Sequence, residues 1–312
     1  MKIFLPGGAG LVGLNLIALL QRQHPEWQLL VVDKKREAVE AGHRLFPTVD
    51  FLCEDLTSTN GVSWPQRLAG CDACVMLQAE IGNTDPSQFE RNNIRTTEVV
   101  LEQLKRQGIP RLVHISSSVV NSVATDYYTT TKRAQEELVQ RSWPGVVILR
   151  PTLMFGWFDR KHLGWLARFM QKLPLFPIPG SGRFIRQPLY VGDFCQVIQS
   201  CLEQPNLAGS YNITGLEQVS YISLMRQLRQ AVGACPWIIH LPIPVFGWLL
   251  QLWALISRQP AFTRSQLTAL TAGDEFDVID WPGIFAVQAT PLAEALRITH
   301  QDPDYAHVVI PF

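Results

Sequence analysis

Tyr128 and Lys132 stand four residues apart in the run Tyr128-Thr129-Thr130-Thr131-Lys132. On a helix this spacing sets both side chains on one face, one turn apart. A phenol with a pKa near ~10 is a poor base at neutral pH, and a neighbouring ammonium favours the phenolate and brings that value down. The pair can therefore move a proton at a carbonyl or carbinol oxygen, with Tyr128 as acid/base and Lys132 as the charge that tunes it. Lys132 can also hold a ribose hydroxyl. Such chemistry needs a further hydroxyl to orient the substrate oxygen. The apolar run Val113-His114-Ile115 ends in Ser116-Ser117-Ser118, and parallel sheets bind ligands at the C-termini of their strands.

A second constellation opens the chain. Gly7-Gly8-Ala9-Gly10-Leu11-Val12-Gly13 follows an apolar run and starts a helical pattern, with Gly7, Gly10 and Gly13 in G-x-x-G-x-x-G spacing. The first glycine permits a tight turn, the second lets main chain approach a pyrophosphate, and the third lets helix and strand pack closely. The helix N-terminus at Leu11 and Val12 offers amide hydrogens and a partial positive charge to the phosphates. Asp33 ends the second apolar run, 20 residues after Gly13. A carboxylate there accepts hydrogen bonds from ribose hydroxyls and repels a 2′-phosphate. This combination specifies a pyridine dinucleotide and favours NAD, while Lys34, Lys35 and Arg36 keep NADP open. Asp55 reads either as an acceptor for the adenine amino group or as an early helix N-cap.

Short strands and helices must position these groups. Apolar runs predict strands at Lys2–Leu5, Gln28–Val32, Val49–Cys53, Ala73–Leu77, Arg111–Ile115 and Val146–Arg150, with helical patterns at about Leu11–Gln23, Gln88–Gln107 and Asp126–Arg141. This alternation predicts an α/β fold, a doubly wound parallel Rossmann sheet covered on both faces. We expect residues 1–150 to form the dinucleotide-binding domain, with 189–214 returning to it, and 151–188 and 215–312 to form a smaller substrate lobe. Trp157, Phe158, Trp165 and Phe169 enrich that lobe in aromatic surface. The apolar stretch Trp237–Ile256 contains Pro242 and Pro244 near its start. It predicts a loop entering a helix near Val245, buried in the core, too short to cross a bilayer; a face for a membrane surface or a partner is the alternative.

The chain of 312 residues balances 27 Lys and Arg against 27 Asp and Glu, which gives no electrostatic case for a nucleic-acid partner. No group of cysteines and histidines has metal-ligand spacing. Cys71 and Cys74 form a C-x-x-C, but it runs into an apolar strand instead of opening a helix, so we expect buried, reduced thiols. The first residues are already strand and glycine turn, with no signal-peptide pattern, and the expectation is a cytoplasmic protein.

Taken together, these segments resemble the extended short-chain dehydrogenases/reductases, the NAD-dependent epimerase/dehydratase family, over about residues 1–215. The glycine loop, Asn93-Ile94-Arg95-Thr96-Thr97, His114-Ile115-Ser116-Ser117-Ser118, Tyr128-Thr129-Thr130-Thr131-Lys132, Leu149-Arg150-Pro151 and Gly180–Asp193 all match its pattern. The resemblance implies that Ser117 is the active hydroxyl, with Ser118 the one-residue-shifted alternative on the substrate. It implies that Leu77 lies against the cofactor and Arg186 against a substrate pyrophosphate, and that the chain can form a homodimer. The chain departs from the pattern at Met76-Leu77-Gln78-Ala79, and at Val120-Asn121-Ser122. The tail over residues 261–296 resembles the atypical branch that includes the accessory short-chain-dehydrogenase-like subunit of respiratory complex I.

The function expected is an NAD(P)-dependent oxidoreductase or epimerase acting on a small molecule, a nucleotide-linked sugar, with Tyr128, Lys132 and Ser117 catalytic. A non-catalytic nucleotide-binding scaffold in a membrane-associated assembly, or a reductase of an apolar lipid carbonyl, are the alternatives.

Overall fold

The computed structural model describes residues 1–83, 85–123, 125–256, 267, 270, 271 and 276–310. The N-terminal half alternates as the apolar pattern requires: β1 (Lys2–Pro6), α1 (Leu11–Gln23), β2 (Gln28–Asp33), α2 (Arg36–Leu45), β3 (Asp50–Cys53), α3 (Trp64–Arg67), β4 (Ala73–Met76), α4 (Pro86–Phe89), α5 (Thr96–Arg106), β5 (Arg111–Ile115), α6 (Tyr127–Ser142) and β6 (Val147–Pro151). Then come β7 (Met154–Phe155), α7 (Leu163–Lys172), β8 (Leu175–Pro179), β9 (Ile185–Arg186), β10 (Leu189–Tyr190), α8 (Val191–Glu203), β11 (Gly209–Ile213), β12 (Val219–Ser220), α9 (Tyr221–Ala231), β13 (Trp237–Leu241), α10 (Ile243–Ile256), α11 (Trp281–Phe285) and α12 (Leu292–Gln301).

Seven parallel strands form the central sheet in the order β11-β6-β5-β4-β1-β2-β3. Successive side chains of a strand point to opposite faces, and here both faces are covered. Ile3, Leu5, Val31, Val75 and Val147 pack with α1 and α8 residues such as Leu14, Ile17, Phe194 and Ile198. Phe4, Val32, Met76 and Ile148 pack on the other side with Trp64, Val100, Leu104 and Val139. The sheet is thus the doubly wound Rossmann type. A third cluster, with Phe155, Phe176, Ile178, Leu224, Leu228 and Leu296, unites β8, α9 and α12.

Arg111, at the start of β5, ties the last strand in. Its guanidinium donates to the carbonyls of Cys201, Gln204, Pro205 and Leu207, at 2.6–3.0 Å, just before β11.

Several expectations change. The helix expected over Gln88–Gln107 begins as α4, passes through a π-helical turn at Glu90–Arg95 and only then becomes α5. Helix α2 escaped the periodic reading because its buried side is only Ala38, Val39, Ala41 and Gly42. The loop expected before Val245 is strand β13, paired with β8, and the helix starts at Ile243. That helix is not buried as expected: Val245, Trp248, Leu249 and Leu252 are exposed. No helix of the described residues is long and apolar enough to cross a membrane. Cys71 and Cys74 are buried free thiols. Trp157 and Phe158 pack with Tyr305 and Trp165 with Phe169, as internal ring contacts. Of the tail, residues 261–266, 268, 269 and 272–275 lie outside the described residues. Trp281 beyond them is buried and donates to the Thr214 carbonyl at 2.9 Å.

Candidate active site

The strand order reverses direction between β1 and β4, which opens a crevice at the carboxyl ends of these two strands. The glycine loop fills its floor. Gly7 has φ +74°, and a Cβ there would meet the Gln78 backbone at 2.5 Å. A side chain on Gly13 would run into the Gly8 carbonyl, so helix and loop touch main chain to main chain. Gly10 differs: the nearest atom to a Cβ at that place is the Gly7 oxygen at 3.8 Å. Gly10 is also the N-cap of α1, and no side chain caps that terminus, so the first-turn amides at Leu11 and Val12 keep their donors for another acceptor.

Asp33 stands at the end of β2 beside this turn. Its carboxylate accepts from the Lys35 amide at 3.1 Å and interacts with the Ala9 amide, while burial pushes its pKa up. Lys34 reaches away, to Asn92 Oδ1 at 2.8 Å and Glu80 at 3.8 Å. Leu77 continues β4 next to the turn, its amide donating to the Pro6 carbonyl at 3.0 Å. Asp55 is neither free nor a helix cap. It accepts from the Thr57 amide at 2.9 Å and hydroxyl at 2.8 Å and pairs with Arg91 at 2.6 Å. The next helix, α3, begins nine residues later, at Trp64.

Helix α6 carries Tyr128 and Lys132. Asp126 caps it, accepting from the Thr129 amide at 3.0 Å. Tyr128 therefore sits in the first turn, where its hydroxyl meets Ser117, the residue that follows β5 and Ser116. Burial pushes the Tyr128 phenol above its ordinary value, the Ser117 hydrogen bond pulls it down, and Asp126 raises it again. Ser117, and not Ser118, makes that contact. Ser118 instead starts a 3-10 turn that runs to Asn121.

Lys132 is placed differently from the sequence expectation. Its Nζ donates to the Ile115 carbonyl at 3.1 Å and to Gln135 Oε1 at 2.7 Å. Ser117 and Asp126 are the side chains that shift the Tyr128 phenol, and Lys132 is not among them. Lys132 is fully buried, and burial holds its pKa down at about 7, against a smaller pull upward from Glu136. His114, on the preceding strand, is also buried and is kept neutral by burial and by Lys132.

Several residues that complete the arrangement were missed. Gln135 Nε2 donates to Thr97 Oγ1 at 2.9 Å, and Thr97 Oγ1 donates to the Asn93 carbonyl at 2.6 Å. Asn93 Nδ2 donates to Thr131 Oγ1 at 3.0 Å, and its Oδ1 accepts from the Glu80 amide at 2.7 Å. The π-helical turn carries Asn93 into this position, and such turns recur at functional sites. Glu136 accepts from Ser116 at 2.7 Å and pairs with Arg150. The signal in the sequence was the i, i+3, i+4 spacing of Lys132, Gln135 and Glu136, which puts three polar groups on the buried face of one helix.

Arg186 meets other elements than these. It lies on β9, with Nη1 3.4 Å from the Leu270 carbonyl, and its charge acts on Tyr221. The arrangement as a whole offers a main-chain cradle, a carboxylate at the end of β2 and a tyrosine beside a serine that follows β5.

Residues 3–214 match the model of the NAD-dependent epimerase/dehydratase family. The mouse protein NADH dehydrogenase [ubiquinone] 1 alpha subcomplex subunit 9, mitochondrial, is 24% identical over 207 residues, 65% of this chain and 54% of that protein. The chain thus spans about half the length of that relative. A dTDP-glucose 4,6-dehydratase of Streptomyces niveus is 28% identical over 268 residues, 75% of this chain and 78% of that one. Among solved structures, a UDP-glucuronic acid 4-epimerase variant from Bacillus cereus superposes with a TM-score of 0.73 at 20% identity, covering 96% of this chain and 98% of its own. The UDP-glucose 4-epimerase of Bifidobacterium longum gives 0.72 at 16% identity, covering 97% and 99%. At these identities the superpositions establish the fold.

Proposed function

The chain belongs to the NAD-dependent epimerase/dehydratase family, and we propose that it is an NAD-dependent oxidoreductase or epimerase acting on a carbonyl or carbinol carbon of a nucleotide-linked sugar. The observation that supports this reading is a pair of features at the carboxyl ends of the sheet strands: an uncapped, glycine-floored helix N-terminus, and Tyr128 placed close enough to Ser117 for the serine to lower its phenol pKa. The relatives support the substrate class, since a dehydratase and 4-epimerases named for nucleotide sugars are among them.

The residues present fit NAD. The first-turn amides at Leu11 and Val12 and the open side of Gly10 would hold the pyrophosphate, and Asp33 would take the adenosine ribose. When bound, the nicotinamide supplies hydride transfer. The chain's own work is proton handling. Ser117 would orient the substrate oxygen, and Tyr128 would give or take its proton. Lys132, to do the tuning assigned to it, must leave Gln135 and approach the ribose and Tyr128. Arg186 would meet the substrate diphosphate, a task suited to its paired donors. The substrate would lie between the sheet and segments 151–188 and 215–312. Asp55, being paired with Arg91, would reach an adenine amino group only as a shared acceptor.

A second reading rests on the Lys132–Gln135 bond and on the complex I subunit among the relatives: a nucleotide-binding scaffold without turnover. Titration with NADH, followed by nicotinamide fluorescence, and turnover on a panel of UDP- and dTDP-sugars and their 4-keto forms separate the two. Binding with turnover that collapses in Tyr128→Phe supports catalysis. Binding without turnover on any member favours the scaffold, and no uptake of NADH or NADPH ends both readings.

A further inference from the structure

We propose that the outer face of α10 is a membrane-interface surface that seats the protein on an anionic bilayer. Val245, Trp248, Leu249 and Leu252 follow one another at i, i+3, i+4 and i+7, the spacing of a single helix face. In most helices that stripe is the one turned to the core. Here it is turned outward, with exposures of 44%, 59%, 44% and 39%. The opposite side does the anchoring: Gly247 is buried, with Leu267 in van der Waals reach, and Phe246 and Leu250 are half-buried. Helix α10, described over Ile243–Ile256, carries no charged residue, and no helix of the described residues is long and apolar enough to cross a membrane. A helix held along one side and apolar along the other can lie in the interface plane, where tryptophan is favoured.

Charge selects the occupant. The chain is balanced overall, but neither residues 160–192 nor residues 218–256 contain an Asp or Glu. The parts of these stretches that adjoin the start of α10 are β8 and β13, paired with each other, and the turn at Gly180, against which Ile243 rests. Arg183, exposed, is three residues beyond Gly180, whose amide bonds Leu241 at 2.7 Å at the entry to α10. Exposed Arg226 and half-buried Arg229 line a hollow with Trp237, which is 77% exposed and pairs in register with exposed Leu175. Apolar side chains including tryptophan, within acid-free basic segments, match an interface of acyl chains and anionic headgroups. A second copy of the chain would bring like charges together, which opposes self-association through this face.

The test is co-sedimentation of the full chain with vesicles of phosphatidylcholine, with and without phosphatidylglycerol. We expect pelleting with the anionic vesicles, weakened by salt. The double variant Trp248→Glu/Leu249→Glu, checked by near-ultraviolet circular dichroism, should bind on the order of tenfold or more weakly. Trp248→Ala/Leu252→Ala serves in the same way if the acidic variant fails to fold. Equal pelleting of variant and parent, or no pelleting with anionic vesicles, overturns the proposal. So does a parent dimer that the variant converts to monomer without any vesicle binding, because a second copy then covers the face.

Discussion

Lys132 Nζ lies 2.7 Å from Gln135 Oε1, three residues further along α6, and donates to the Ile115 carbonyl at 3.1 Å as well. Gln135 is itself held by Thr97, so the amine sits in a buried network. Gln135→Ala leaves the Lys132 and Thr97 groups short of partners. The expected loss is about 1–3 kcal/mol of unfolding free energy, measured by urea denaturation, with Gln135→Glu as the comparison that keeps the acceptor.

Lys132 also gives the fold a pH signature. Its pKa falls from 10.5 in the unfolded chain to about 7 in the folded one. Between these values the unfolded state binds the extra proton, so stability rises with pH across the window. Below about 7 both states are protonated and the full penalty of burying the charge is present. Urea midpoints should therefore climb from pH 6 to pH 9 in the parent, and that slope should flatten in Lys132→Met. An unchanged slope would mean that the amine is not the group responsible.

The glycines of the crevice separate folding from binding. Gly10→Ala meets no close atom, with φ −89° acceptable to alanine. It should lower stability by no more than about 1 kcal/mol, while, on the proposed binding of the pyrophosphate at this turn, the added methyl should cut NADH affinity. Gly13→Ala collides with the Gly8 backbone and should lose several kcal/mol, in line with overpacking of a rigid site (about 1–3 kcal/mol or more). Melting midpoints and NADH titrations on both variants test the distinction.

Ser117 and Ser118 should part in the same way. Ser117 pulls the Tyr128 phenol down against burial. Ser117→Ala should therefore raise that pKa, move the phenol-linked limb of the kcat profile to higher pH, and lower turnover at neutral pH by about 10²-fold or more. Ser118→Ala should leave the limb in place. A limb that moves only with Ser118 would transfer the role by one residue.

Glu136 and Arg150 form a nearly buried pair beneath Ser116. Glu136→Gln leaves the guanidinium without its counter-charge and should cost about 3–5 kcal/mol, read as a fall in the urea midpoint at neutral pH.

Much of this was legible in the residues. The glycine spacing, the carboxylate at the end of β2 and the tyrosine–lysine helix all depend on local geometry, and local geometry is written in adjacent residues. Asp126 was readable as the start of α6 because a short carboxylate before a helical run caps it. The direction of the Lys132 amine was not readable. It is decided by two acceptors together: Gln135, three residues along the same helix and held in place by Thr97, and the Ile115 carbonyl, which only the packing of β5 against α6 brings within reach. The Asp55–Arg91 pair was not readable for a similar reason, since its partners stand 36 residues apart. The exposure of α10 escaped the sequence because an apolar stripe has the same spacing whether it meets a core or faces outward.

Strand β11 enters the sheet beside β6 only after the chain has left to build β7 to β10 and α7, and the Arg111 guanidinium clasps its entry. The sheet is consequently discontinuous along the polypeptide, its border strand supplied by a separate, later stretch. A chimaera that exchanges β7 to β10 and α7 with those of a relative must rejoin the native chain before β11. A single crossover after β6 would instead graft a foreign border strand, and the carbonyls that Arg111 grips, onto a native sheet.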